Sequence, residues 1–172
     1  MKKRMSVSNN NGSVIAKQSR GFRNKNPMNI RLSKSNWLGK KKVSSDRAFE
    51  QFEQMKYGVR AGLYLLTKYV RDYKLRTVRE IIHRWAPNGD GGNNESAYVH
   101  ALLSKNPYPT NAVQVNKAWL YALANGMCLV ESNICLSEEL FEQAFTTLPY
   151  SMKCFWHGLK CEEQVREEVD GL

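Results

Sequence analysis

The chain has 172 residues, 42% of them apolar, with four Trp, eight Tyr and six Phe. That composition suits one domain with a sizeable core and excludes a disordered chain. The net charge of +10 is lopsided: residues 1–47 hold 13 of the 26 Lys and Arg against a single acid, Asp46, while the rest is nearly balanced. Such asymmetry points to a polyanionic partner, whether nucleic acid, an anionic wall polymer or a phosphate-rich surface, or else to a merely solvated basic tail.

Residues 1–19 are polar, Asn/Ser-rich and basic, and read as a flexible arm. The start "MKKRM" has the charge of an export signal, but "SVSNNNGSVIAKQS" follows where an apolar stretch should be. No apolar run approaches the roughly 20 residues of a membrane span. The chain is therefore expected to be made and first held in a cytoplasm.

Residues 20–31, "RGFRNKNPMNIR", concentrate three Arg, one Lys and three Asn around a proline. With "NWLGKKKVSSDRAFEQFEQM" they predict loops with a short strand or hairpin near 47–52. From residue 57 the period changes. Val59, Leu63, Leu66, Val70 and Tyr73 step by four, three, four and three, the stripe of an amphipathic helix. "TVRE" is a capping box that opens a helix over 78–85, stopped by Pro87 and "NGDGG".

"NESAYVHALLSK" predicts a further helix. Another, over 111–125, carries Val115, Trp119 and Leu123 and is expected to end at Gly126. Ser137 with Glu138 and Glu139 starts one through about 147. The organisation expected is thus a basic arm (1–19), a mainly α domain with a small β/loop section (20–147) and a C-terminal extension (148–172).

Four cysteines, Cys128, Cys135, Cys154 and Cys161, are expected to be free thiols in a cytoplasmic chain. Cys154, His157 and Cys161 would share one helical face, but zinc sites usually begin with two ligands two to four residues apart. Neither a metal nor a cofactor is expected. His83 and His100 lack a Ser or Cys at nucleophile spacing, so a hydrolase triad has no support.

The elements "RGFRNKNPMNIR", "WLG", "DRAFEQFEQMKYGVRA", "TVREIIHRWAP" and "NNESAYV", in this order, resemble a family of phage and prophage virion structural proteins considered lysozyme-like. The resemblance spans about residues 19–103. A weaker similarity runs to glucosaminidase-type wall hydrolases, through "KNPMNIR", "WLG" and "FEQFEQ". The resemblance implies a lysozyme-like domain acting on peptidoglycan and associated with a virion.

Asn offers a donor and an acceptor and Arg a fixed fork, so Arg20, Arg23, Asn24, Asn26, Asn29 and Arg31 suit a ligand rich in hydroxyls, amides and carboxylates. Trp37 and Tyr57 suit stacking on sugar faces, and Trp85 a facing cleft wall. The competing reading is that the asparagines satisfy local turns and the arginines pair with later acids.

Glycoside cleavage needs a carboxylic acid at the leaving oxygen, commonly with a second carboxylate opposite. The glucosaminidase resemblance implies an acid at a helix end before the Asn-rich segment, yet residues 1–45 contain no Asp or Glu. The choice falls on Glu53 as general acid, Asp46 as assisting carboxylate and Glu95 in reserve. Three functions remain in play: a peptidoglycan glycosidase or lytic transglycosylase, a non-catalytic virion protein binding wall glycan or other virion components, and a nucleic-acid-binding protein using the basic arm.

Overall fold

The computed structural model describes residues 18–89, 92–104 and 109–159. The basic arm, apart from its last two residues, and Cys161 with the acidic tail lie outside them. The described chain is mainly helical: α1 (Arg20–Arg23), α2 (Met55–Arg71), α3 (Val78–Trp85), α4 (Glu95–Leu103), α5 (Lys117–Ser132), α6 (Glu138–Thr146) and α7 (Tyr150–Trp156).

α2 buries the stripe read from the sequence. Val59, Leu63, Leu66 and Val70 are fully buried, each worth roughly 1.5–3 kcal/mol of transfer free energy, whereas Tyr73 lies beyond the helix and is exposed. α3 begins where the capping box predicts. The Glu80 amide donates to Thr77 Oγ1, and Glu80 Oε2 accepts from the Thr77 amide. α6 packs along α2, α3 against α4, and α4 against α5. α5 is the most buried helix, with every residue from Ala122 to Cys128 inside.

Two expectations need correction. α5 starts at Lys117, capped by Asn116, and passes through Gly126 to Ser132. Gly126 is interior because Leu102 of α4 presses on it: an added Cβ would meet Leu102 Cδ2 at 2.8 Å. Asn133, in the left-handed conformation at φ 54°, ends the helix instead. The boundary at 147 also fails to separate an extension from the core. α7 follows it, with Met152, Cys154 and Trp156 buried in the domain. Trp156 stacks on Trp119 at 6.2 Å and donates through Nε1 to Thr67 Oγ1 on α2 at 2.8 Å.

The front section, residues 20–53, is irregular but densely bonded. Short antiparallel bridges join Arg31 to Phe49 and Lys40 to Phe52, so 48–53 runs as a middle strand between 30–32 and 39–41. The Glu50 amide donates to Ile30 O, Leu32 N to Ala48 O, and Lys41 N to Gln51 O. The short strand expected near 47–52 is this middle segment. "RGFR" forms a single helical turn rather than loop, because Ser19 caps it.

Buried polar side chains hold the section in shape. Asn26, with no exposed surface, donates to Ile30 O at 2.9 Å and Glu50 O at 3.0 Å, and accepts from the Ile30 amide at 3.0 Å. Asp46 takes a two-pronged contact from Arg20, both prongs 2.7 Å, with further bonds from Asn24 Nδ2 and the amides of Ala48 and Phe49. Glu50 is fully buried and receives Lys40, the Ser33 amide and the Ser33 hydroxyl. The section docks on α2 through Gly58, where a Cβ would stand 2.0 Å from the Lys25 carbonyl oxygen. No larger residue fits at that contact.

Replacing Asn26 by Ala leaves the Glu50 carbonyl and the Ile30 amide without partners at a buried position. Chemical denaturation of Asn26→Ala is expected to show a loss of about 2–4 kcal/mol.

The Arg20 contact holds the Asp46 carboxyl well below the usual carboxylate range against the opposing effect of burial, with Asn24 and the two amides adding to it. Its folded-state affinity for a proton is thus weaker than that of an unfolded Asp, which titrates near ~4. The stabilisation is present above that pH and is lost as pH falls below it. Asp46→Asn is expected to lower the melting temperature by several degrees at pH 7. Melting curves from pH 7 to pH 3 check this: the gap to the unsubstituted protein should narrow as the pH falls.

Candidate functional site

A groove runs between the front section and the helical body. Its first chamber, a cavity of about 330 Å³, is walled on one side by Asn29, Ile30, Arg31, Ser33, Trp37 and Phe49 and on the other by Leu65, Tyr69, Trp85 and Glu131. Trp85 and Tyr69 meet edge to face at 6.3 Å, and Trp37 meets Tyr64 edge to face at 5.7 Å. The lining therefore combines broad aromatic surfaces with a few polar groups, as small-ligand sites do.

Glu131 is the carboxylate of this lining. It lies in the last turn of α5, where the helix dipole disfavours a negative charge. Donors from three separate elements compensate. Asn29 Nδ2 reaches Oε2 at 3.1 Å, Tyr98 Oη of α4 reaches Oε1 at 3.0 Å, and Trp85 Nε1 of α3 reaches Oε1 at 3.3 Å. Asn29 also donates to the Glu131 backbone carbonyl at 2.9 Å. Burial, with the charge of Glu131 beside it, pushes the Tyr98 phenol well above its ordinary range, so this group remains a donor.

Asn29 is positioned by its backbone. It stands at φ 50°, and Lys25 at φ 52°, so the chain turns twice through the left-handed region around Pro27. The turn buries Met28 against Gly62 of α2 and leaves Asn29 facing α5. Two polar atoms of the lining residues, Asn29 Oδ1 and Trp37 Nε1, are buried and have no hydrogen-bond partner among the described residues. Unmet groups of this kind cost about 1–3 kcal/mol each, and here both fall on the groove.

Of the residues singled out from the sequence, Asn29, Arg31, Trp37 and Trp85 line the chamber together. Asn24 and Asn26 do not. Asn24 donates to Asp46 and accepts from Gln51, so both asparagines belong to the scaffold. Arg20 pairs with Asp46 and covers the Phe49 ring at 4.4 Å. Arg23 is exposed and donates to the Gln18 carbonyl. Tyr57 packs against the small satellite core of Ile30, Phe52 and Ala61 and is not itself among the residues that line the chamber.

The three carboxylates chosen from the sequence stand elsewhere. Glu53 is exposed, and its amide and carbonyl are bound to Gly39 O and Lys25 Nζ. Asp46 is consumed by the network around Arg20. Glu95, 8% exposed, contacts His83 Nδ1 at 3.0 Å through Oε2, while its amide donates to Asn88 Oδ1. None of them lines the chamber. Glu131 was not singled out. Its signal is an acid in the last turn of the otherwise apolar "GMCLVES", where a cation is the usual choice.

Among the described residues no three His, Cys, Asp or Glu side chains stand together as metal ligands, and no helix is long and apolar enough to cross a membrane. Cys128 and Cys154 are buried free thiols and Cys135 is exposed; burial pushes the Cys128 thiol up.

No family model matches the chain. Over 100 residues it is 34% identical to Protein P5 of Pseudoalteromonas phage PM2, a stretch that covers 56% of this chain and 61% of that protein. The chain is thus similar to a phage protein along somewhat less than two thirds of that protein's length.

Proposed function

We propose that this is a virion-associated phage protein whose groove binds the glycan strands of peptidoglycan and cleaves them, with a lysozyme-like domain and Glu131 as the acid. The observation that carries this reading is the placement of one carboxylate among Trp37, Tyr69 and Trp85, with Asn29, Tyr98 and Trp85 donating to it. Aromatic faces suit the apolar faces of sugar rings, and Asn and Ser side chains suit their hydroxyl and N-acetyl groups. The similarity to a phage protein supports the virion setting. The glucosaminidase resemblance implies an acid at a helix end before the Asn-rich segment. Glu131 departs from that order, since it follows the segment in sequence, but it stands at a helix end and is contacted by Asn29 of that segment.

Among the described residues the first chamber offers one carboxylate, where most glycosidases use two. A lone acid suits a reaction in which the nucleophile comes from the substrate. Glu131 would protonate the departing glycosidic oxygen and then accept the proton of the attacking sugar hydroxyl, as in a lytic transglycosylase. Tyr98 and Trp85 would hold the carboxylate in place between these two transfers.

A second reading, a non-catalytic glycan-binding virion protein, is favoured by the same three donors, which already occupy the carboxylate. Purified sacculi separate the two. The unsubstituted protein is expected to release soluble fragments, and Glu131→Gln to be about 10²–10⁴-fold slower with sacculus binding and melting temperature retained. Binding without release by the unsubstituted protein would establish the second reading. Undiminished release by Glu131→Gln would remove Glu131 from the chemistry.

A further inference from the structure

Beyond Trp37 the groove opens into a second, larger chamber of about 890 Å³. It shares Ser35, Trp37 and Leu65 with the first, so the two adjoin. Its walls differ in charge. Lys40, Lys42, Arg60 and Lys68 line it, and no carboxylate does. Lys40 is neutralised by buried Glu50 at 3.0 Å, and among the described residues Lys68 has only a distant acidic neighbour, Asp72 at 3.9 Å. Lys42 and Arg60 make no ion pair with any described residue. Arg60 is fixed from α2 by donating Nε to the Thr147 carbonyl at 2.9 Å, and burial lowers its pKa, the ordinary cost of desolvating a cation. A preset, partly desolvated guanidinium beside two lysines in a concave wall is the arrangement that recognises carboxylates.

We propose that this second chamber is an anion subsite that takes carboxylate groups carried by a glycan strand lying in the first chamber, such as those of its peptide substituents. The inference rests on the glycan reading of the first chamber. A strand crossing Trp37 would place its sugars against the aromatic wall near Glu131 and its acidic branches against Lys42, Arg60 and Lys68. A nucleic acid is the poorer fit. Its phosphates repeat along the whole strand, and those entering the first chamber would meet Glu131.

The full chain, titrated by tryptophan fluorescence, tests this with two glycans and one nucleic acid: neutral chitotetraose, a tetrasaccharide muropeptide with free peptide carboxylates, and a short single-stranded DNA. The muropeptide is expected to bind roughly three- to tenfold more tightly than chitotetraose in low salt, the scale of two partly exposed charge contacts. Raising the salt to roughly 0.5 M should close that gap, since such contacts are screened. The double variant Lys42→Gln/Lys68→Gln, which keeps Arg60, should reduce the preference, with its melting temperature and its affinity for chitotetraose unchanged.

Equal affinity of the unsubstituted protein for both glycans, or a preference undiminished by the double substitution, would overturn the subsite and leave the glycan reading standing. Binding of neither glycan would overturn both. DNA binding that depends on the two lysines, in the absence of muropeptide preference, would reassign the chamber to nucleic acid.

Discussion

The contact between Asn29 and the end of α5 is the constraint on which the groove depends. One side-chain amide, carried on a residue held at φ 50°, donates to both the backbone carbonyl and the carboxylate of Glu131. It joins an irregular front section to the most buried helix of the domain. Trp85 and Tyr98 converge on the same carboxylate from α3 and α4. Four segments distant in sequence are thereby tied at a single acidic group. Removing the acid would leave three donors around a space that nothing else fills, so the site and the packing of the front section are one construction.

The front section can hold that geometry although it has little regular structure. It places its hydrogen-bonding groups where each meets several partners, Asn26 bracing the 26–30 turn against the middle strand and Asp46 gathering Arg20, Asn24 and two amides. Buried polar networks of this kind define one arrangement sharply because a partly satisfied alternative is costly. Gly58 then lets the turn approach α2 more closely than any side chain would permit. The result is a rigid wall that presents Asn29, Arg31 and Trp37 to the groove, with the basic second chamber beyond Trp37.

The helices were legible because each is governed by local periodicity and capping. The α2 stripe and the Thr77–Glu80 box are complete within a few residues of chain. The C-terminal end of α5 is not legible in the sequence, because Gly126 reads as a stop until Leu102, from another helix, is known to lie on it. α7 was assigned to an extension because its burial depends on Thr67 and Trp119, far away in sequence. The Asn/Arg segment divides between the two readings weighed for it. Asn24 and Asn26 serve the scaffold, while Asn29 and Arg31 reach the groove. Glu131 escaped notice because its partners come from residues 29, 85 and 98, and a single sequence gives no sign that these meet.

The central claim is that the groove around Glu131 holds a glycan. A crystal structure of the protein grown with chitotetraose tests it most directly. Sugar rings are expected to stack on Trp37 or Trp85 with a glycosidic oxygen within hydrogen-bond reach of Glu131. Sugar bound on another face, with the groove left to solvent at a concentration that saturates binding in solution, would contradict it.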